Sequence, residues 1–227
     1  RERAGFLIHF GIFALVMLIS FNTQPELQAG LLEGINSPEF IAQTQEAAPV
    51  VLEPLTTIPF ALTLFLLWGA GILSHALTLL FNTGARYEAR RDELRRNMES
   101  RYGFDWQQTA DTGAYVRQRN RIEGRTKSRL SFLTHIIGTL MFVLAVTTVW
   151  GPVSETLNLA IEQGVAEFPP DLATLPVPLI VFAFGMISVL IHGIVLVVGM
   201  VGGADARESA IQREIEREKS RITSIKP

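Results

Sequence analysis

The residues of this chain with the widest chemical repertoire are its four histidines, His9, His75, His135 and His192. Each falls inside a long apolar stretch, and none lies in a charged one. An ionisable group at membrane depth costs free energy and by default marks a functional site. Four residues before each histidine stands a small residue: Gly5, Gly71, Ser131 and Ser188. Positions i and i+4 share a helix face, so each imidazole projects beside a patch with little bulk. Such a patch lets helices approach closely, or it leaves a slot for a flat ligand beside a coordinating nitrogen. Neutral imidazole is an axial ligand of haem iron. The natural pairs are His9 with His75 and His135 with His192; His9 with His135 and His75 with His192 is the alternative. Zinc and copper also accept imidazole, but no Cys, carboxylate or suitably placed Met accompanies these histidines. The bland alternative is a hydrogen bond from each ring to a neighbouring helix, worth on the order of 1 kcal/mol. Ligation of a tetrapyrrole and structural bonding both stay open on the sequence.

The elements that must position these rings are apolar spans. The chain has 227 residues, 48% of them hydrophobic and 19% charged, with no cysteine and a mean hydropathy of +0.28. Its charges stand in blocks separated by four long windows free of Asp, Glu, Lys and Arg. The apolar core of the first runs over Phe6–Phe21, and the second predicts a helix over about Ile58–Phe81. The third runs over Leu130–Ser154, and the fourth starts near Pro178 and reaches the glycines before Ala204. A crossing needs roughly 20 apolar residues, so each window suffices. Span one has a partner later in the chain, so it reads as a membrane helix and not as a cleaved signal peptide.

Charge gives the spans a direction. Arg1 and Arg3 precede span one, twelve Lys/Arg lie between Arg86 and Arg129, and six follow span four, which accounts for all 20. The two intervening loops, about Asn22–Thr57 and Gly151–Val177, hold none. They carry nine acids instead: Glu26, Glu33, Glu39, Glu46, Glu53, Glu155, Glu162, Glu167 and Asp171. The positive-inside rule then puts both termini and the central loop in the cytoplasm, and the chain reads in–out–in–out–in as a multi-pass protein of the bacterial inner membrane. Measured along the helices at about 1.5 Å per residue, all four histidines fall in the cytoplasmic leaflet. A cofactor held there would exchange electrons laterally or store them near one face. Proton relay lacks the usual acids, since no Asp or Glu lies in a span.

The two halves repeat. Phe6-Leu7-Ile8-His9 in the first answers Phe132-Leu133-Thr134-His135 in the second, and each half ends in a charged helical tail, from Arg86 and from Asp205 respectively. Both halves leave and re-enter on the same side, so the repeat is parallel. The predicted fold is an all-α, four-helix membrane bundle of two hairpins, divided at residues 1–101, 102–124 (linker) and 125–227. Through Gly5-Phe6-Leu7-Ile8-His9, Trp68-Gly69-Ala70-Gly71-Ile72-Leu73-Ser74-His75-Ala76 and the Arg/Glu tail, each hairpin resembles the bacterial two-transmembrane-helix (2TM) domain. Phe184-Gly185 stands for Trp-Gly in the second copy. That resemblance implies a duplicated hairpin module and little about activity. The small-x-x-x-His spacing is similar to that of light-harvesting polypeptides, which seat bacteriochlorophyll, and membrane b-type cytochromes seat haem between facing histidines.

Together these features predict a tetrapyrrole-binding accessory subunit of a larger energy-converting complex, with haem b first and bacteriochlorophyll, in an antenna or photosynthetic subunit, second. A structural or regulatory module with no cofactor is the alternative from another class. No catalytic group beyond imidazole lies in a span, and there is no P-loop, His-Glu-x-x-His or Gly-x-Ser-x-Gly motif, so an autonomous enzyme is not expected. The partners expected are other membrane subunits, met through the spans or the acidic outer loops, and anionic lipids at Arg117–Arg129. The net charge of −2 disfavours nucleic acid. Trp150 reads as an interfacial residue, Trp68 as packing, and Gly199 with Gly203 as a helix contact. The segments Glu26–Ile35 and Glu155–Val165 read as helical pieces on the outer surface or docked on a partner.

Overall fold

A computed structural model describes residues 2–44, 47–110, 112–165 and 169–198. Glu46, Glu167, the Gly199–Gly203 pair and the second charged tail lie outside the described residues. Every regular element among those described is helical. In chain order they are α1 (Glu2–Ile35), α2 (Pro38–Gln43), α3 (Ala48–Thr56), α4 (Phe60–Asn82), α5 (Ala85–Tyr102), α6 (Trp106–Thr109) and α7 (Thr112–Glu162). A short 3-10 turn (Pro170–Leu172) and α8 (Val177–Val198) follow. Four of them, α1, α4, α7 and α8, are long and apolar enough to cross a membrane.

Two of the four overrun their apolar windows. α1 continues through Pro25 to Ile35, so Glu26–Ile35 is the C-terminal end of the first span's helix and not a separate piece. Pro25 has no N–H for the Phe21 carbonyl, which is the cost expected of an interior proline. Just before it, Asn22 Nδ2 and Thr23 Oγ1 donate to the Leu18 and Ile19 carbonyls at 2.7 and 3.0 Å, so these polar side chains are satisfied within their own helix. α7 likewise runs through Pro152, joining the basic segment from Thr112, the apolar span and Glu155–Glu162 in one 51-residue helix.

The chain divides into two compact units. The first takes in the residues up to Leu79 with Thr134–Ser188; the second takes in Leu80–Leu133 with the described residues from Val189 onward. In the first, Phe13, Met17 and Ile72 form a buried cluster on which Phe6, Val16 and Trp68 pack. Trp68 meets the Phe13 ring edge-on, with centroids 5.7 Å apart, so it is a packing residue. α1 packs on α3, and two of its glutamines tie down the start of α4. Gln24 Oε1 accepts from the Ala61 N–H at 2.9 Å, and Gln28 Nε2 donates to the Ile58 carbonyl at 3.2 Å. An N–H of the first turn of a helix has no partner within it, and Gln24 supplies one here.

In the second unit the charged stretch after span two is folded. Leu94, Met98 and Ile122 make a second buried cluster, with Trp106, Ala110 and Tyr115 against it, and Met98 is wholly enclosed. Gln118 is buried too; with its amide turned to suit the contact, its oxygen accepts from Arg101 Nη1 at 2.8 Å and from Nε at 3.3 Å. Gly84, the residue before α5, has a φ of +64°, a conformation that glycine adopts without penalty. Arg90 Nη1 donates to the Phe81 carbonyl and Arg86 lies 4.4 Å over the Phe81 ring. Cations at a helix C-terminus satisfy its orphan carbonyls and complement its dipole.

Candidate functional site

The four histidines fall into two different settings. His9 follows the start of α1 by seven residues and His75 precedes the end of α4 by seven, so both lie about 10 Å in from those helix ends. Their rings meet: the centroids are 6.1 Å apart and the planes are at 88°. Phe6 packs edge-on against His75 at 5.4 Å and stacks with Phe10 at 6.0 Å, so aromatic contacts hold one side of the pair.

This spacing can be tested against ligation. If both rings held one ion through metal–nitrogen bonds of about 2.0–2.1 Å, their centroids would stand about 6 Å apart. The observed 6.1 Å is compatible with that and is also the distance of an ordinary edge-on ring contact. A macrocycle between the rings also needs room, and a side-chain carbon added at Gly5 or Gly71 would meet nothing within 4 Å. These two glycines therefore do not serve close helix contact. Among the described residues no three side chains of His, Cys, Asp or Glu gather into a cage for a metal ion, so the donor set at the pair is two imidazoles.

His135 is arranged otherwise. Its Nε2 shares a hydrogen bond of 2.9 Å with Ser188 Oγ, the ring tautomer deciding which atom donates. Ser188 had been expected as the small residue beside His192; it is the polar partner of His135. His192 lies against Phe132, with centroids 5.9 Å apart and planes tilted by 46°. Ser131, the small residue before His135, is exposed on α7.

The close approach lies elsewhere. A carbon at Gly185 would stand 2.5 Å from Thr139 Cγ2, so α7 and α8 touch there only because no side chain intervenes. At Gly69 the same carbon would lie 3.5 Å from Met141 Cε and 3.8 Å from Phe13 Cζ, ordinary contact distances. These are the equivalent glycines of the Trp68-Gly69 and Phe184-Gly185 pairs, and helix contact is what those pairs provide. Sequence reasoning noted both as repeat motifs but took the small residues beside the histidines as the informative ones. The repeat equivalence of Gly69 and Gly185 was the signal that could have found the contacts.

Comparison with known protein families, curated proteins and solved structures gives no match. The function therefore has to be argued from the geometry.

Proposed function

We propose that the chain is a four-span protein of the bacterial inner membrane that holds one tetrapyrrole, haem b ahead of bacteriochlorophyll, between His9 and His75. It serves as an accessory subunit of a larger energy-converting complex and not as an autonomous enzyme. The observation that carries this reading is the His9–His75 ring pair at 6.1 Å. Membrane insertion is supported by the outward apolar surface: Leu7, Leu18, Leu179, Phe184, Ile194 and Val198 are each more than 60% exposed. Only lipid or protein can cover such a surface without a large hydrophobic penalty.

Within the site the chain's own residues do four things. The two imidazoles are the nitrogen donors, one from each of two helices. Phe6 fixes the plane of His75 by edge contact. Gly5 and Gly71 leave the flank of the pair open. The apolar stretches around the pair hold no Asp or Glu and so offer no carboxylate as proton acceptor. When bound, a haem would supply one-electron exchange at its iron.

The deciding experiment is an absorption spectrum of the detergent-purified protein, oxidised and then reduced with dithionite. A Soret band with a reduced α-band of b type, lost in both H9A and H75A, is the expected result. Long-wavelength bands indifferent to reductant would favour a chlorophyll-type pigment. A colourless protein made with ample haem supply would overturn the reading.

A second reading, a cofactor-free structural module, has its own observation in the His135–Ser188 bond. The two readings divide the hairpins: ligation at the first pair, and helix-to-helix bonding at His135.

A further inference from the structure

Outside the spans, α5, α6 and the first turns of α7 line an open surface pocket of about 430 Å³, bordered by Glu88, Arg91, Asp92, Arg95, Trp106 and Tyr115 among others. Small-molecule sites run from about 300 to 1,000 Å³, so the size suits a small ligand. Glu88, Arg91, Asp92 and Arg95 recur at spacings of three and four and so form one stripe along α5. Two are acidic and two basic. The lining therefore carries charge of both signs and no net charge.

Across from this stripe the Trp106 and Tyr115 rings stack, 2° from parallel with centroids 5.9 Å apart, half-buried on the Leu94–Met98–Ile122 cluster. An aromatic face attracts an ammonium within about 6 Å, and a carboxylate beside it completes the neutralisation. A guanidinium fork matches phosphate oxygens bidentately. The ion pairs Arg95 already makes are loose: Asp92 and Glu99 each stand 3.8 Å from it, and Arg95 and Asp92 are about 60% exposed. A contact of that kind contributes little, so it yields readily to a ligand. A ligand bearing both charges meets a partner for each.

We propose that this pocket binds a zwitterion in which a short carbon chain joins an ammonium to a phosphate, the chemistry of phosphoethanolamine, whether free or as a phospholipid headgroup. This inference is independent of the histidine site. The test is titration calorimetry with ³¹P line broadening on the full chain in maltoside detergent. The probes are phosphoethanolamine, ethanolamine and methyl phosphate, followed by nanodiscs of phosphatidylethanolamine or phosphatidylglycerol.

Saturable phosphoethanolamine binding is expected, at least ten-fold tighter than either fragment. It should weaken at least ten-fold in R91Q/R95Q and in E88Q/D92N, and stay unchanged in R96Q on the same helix. All these side chains are exposed, so the variants test binding in a chain that still folds. Tighter binding in phosphatidylethanolamine discs than of the free compound identifies the lipid as the source, and the reverse identifies the soluble compound; either supports the site. Methyl phosphate binding as tightly as phosphoethanolamine would make this a plain anion site and overturn the proposal. So would binding indifferent to the double variants, or no saturable binding at all.

Discussion

At the scale of single residues, the same side-chain type does different work at different positions in the chain. His75 and His9 face each other with room beside them, while His135 spends its Nε2 on Ser188. H9A and H75A are accordingly expected to abolish tetrapyrrole absorbance. H135A should leave the spectrum intact and lower stability by about 0.6–1.7 kcal/mol, the range for hydrogen bonds between membrane helices. Thermal melting of H135A, S188A and the double variant checks this, because a coupling near zero would remove the bond's structural role. The glycines divide in the same way. Gly185→Val places its branch on Thr139 and should cost about 1–3 kcal/mol, as overpacking does, with part regained on adding T139A. Gly71→Ala meets nothing within 4 Å and gains up to about 1 kcal/mol of helix propensity. It should therefore leave the melting temperature unchanged or higher while reducing the retained tetrapyrrole, measured as Soret absorbance per protein.

At the scale of elements, the segment between spans two and three holds the main difference from the sequence reading. Its first charged tail is helical as anticipated, over Ala85–Tyr102. Residues 102–124, expected as a linker, contain α6 and the first turns of α7, and they bury Ile122 against Leu94 and Met98. That packing was illegible because the apolar residues are few, set among twelve Lys/Arg, and far apart in sequence; Met98 and Ile122 become neighbours only when the chain turns back at Gly103, whose φ is +83°. Met98→Ala should cost this module about 2–5 kcal/mol, as large-to-small core changes do. Hydrogen exchange should rise through α5 and the start of α7, with the amides of α4 near His75 little changed. In the other unit, the overrun of α1 has a reason in the capping of α4 by Gln24. Q24A leaves the Ala61 N–H without that acceptor and should cost about 1 kcal/mol, as cap removal does.

At the scale of the whole molecule, the testable property is sidedness. All 20 basic residues fall in three segments and nine acids in the other two, and the proposal that the basic segments face the cytoplasm rests on that segregation. The native chain has no cysteine, so single cysteines can be probed without background. In intact cells an impermeant maleimide is expected to label Gly30→Cys and Thr174→Cys and to spare Gln108→Cys until the membrane is opened. Labelling of Gln108→Cys from outside would invert the topology and put the histidine pair in the opposite leaflet.

The sequence by itself determined the number of apolar helices, their extents to within a few residues at α4 and the start of α8, and the segregation of charge. These are local properties: a run of some twenty apolar residues reads the same whatever surrounds it. Tertiary structure decided which histidine meets which partner, which glycines are approached and which merely leave space, and that the basic stretch from Arg86 folds on itself. Those outcomes depend on how each helix is rotated and slid against distant segments. A span that is hydrophobic all round offers no periodic face from which the rotation can be read. Only packing at Phe13–Ile72 and Thr139–Gly185 brings His9 to His75 and Ser188 to His135.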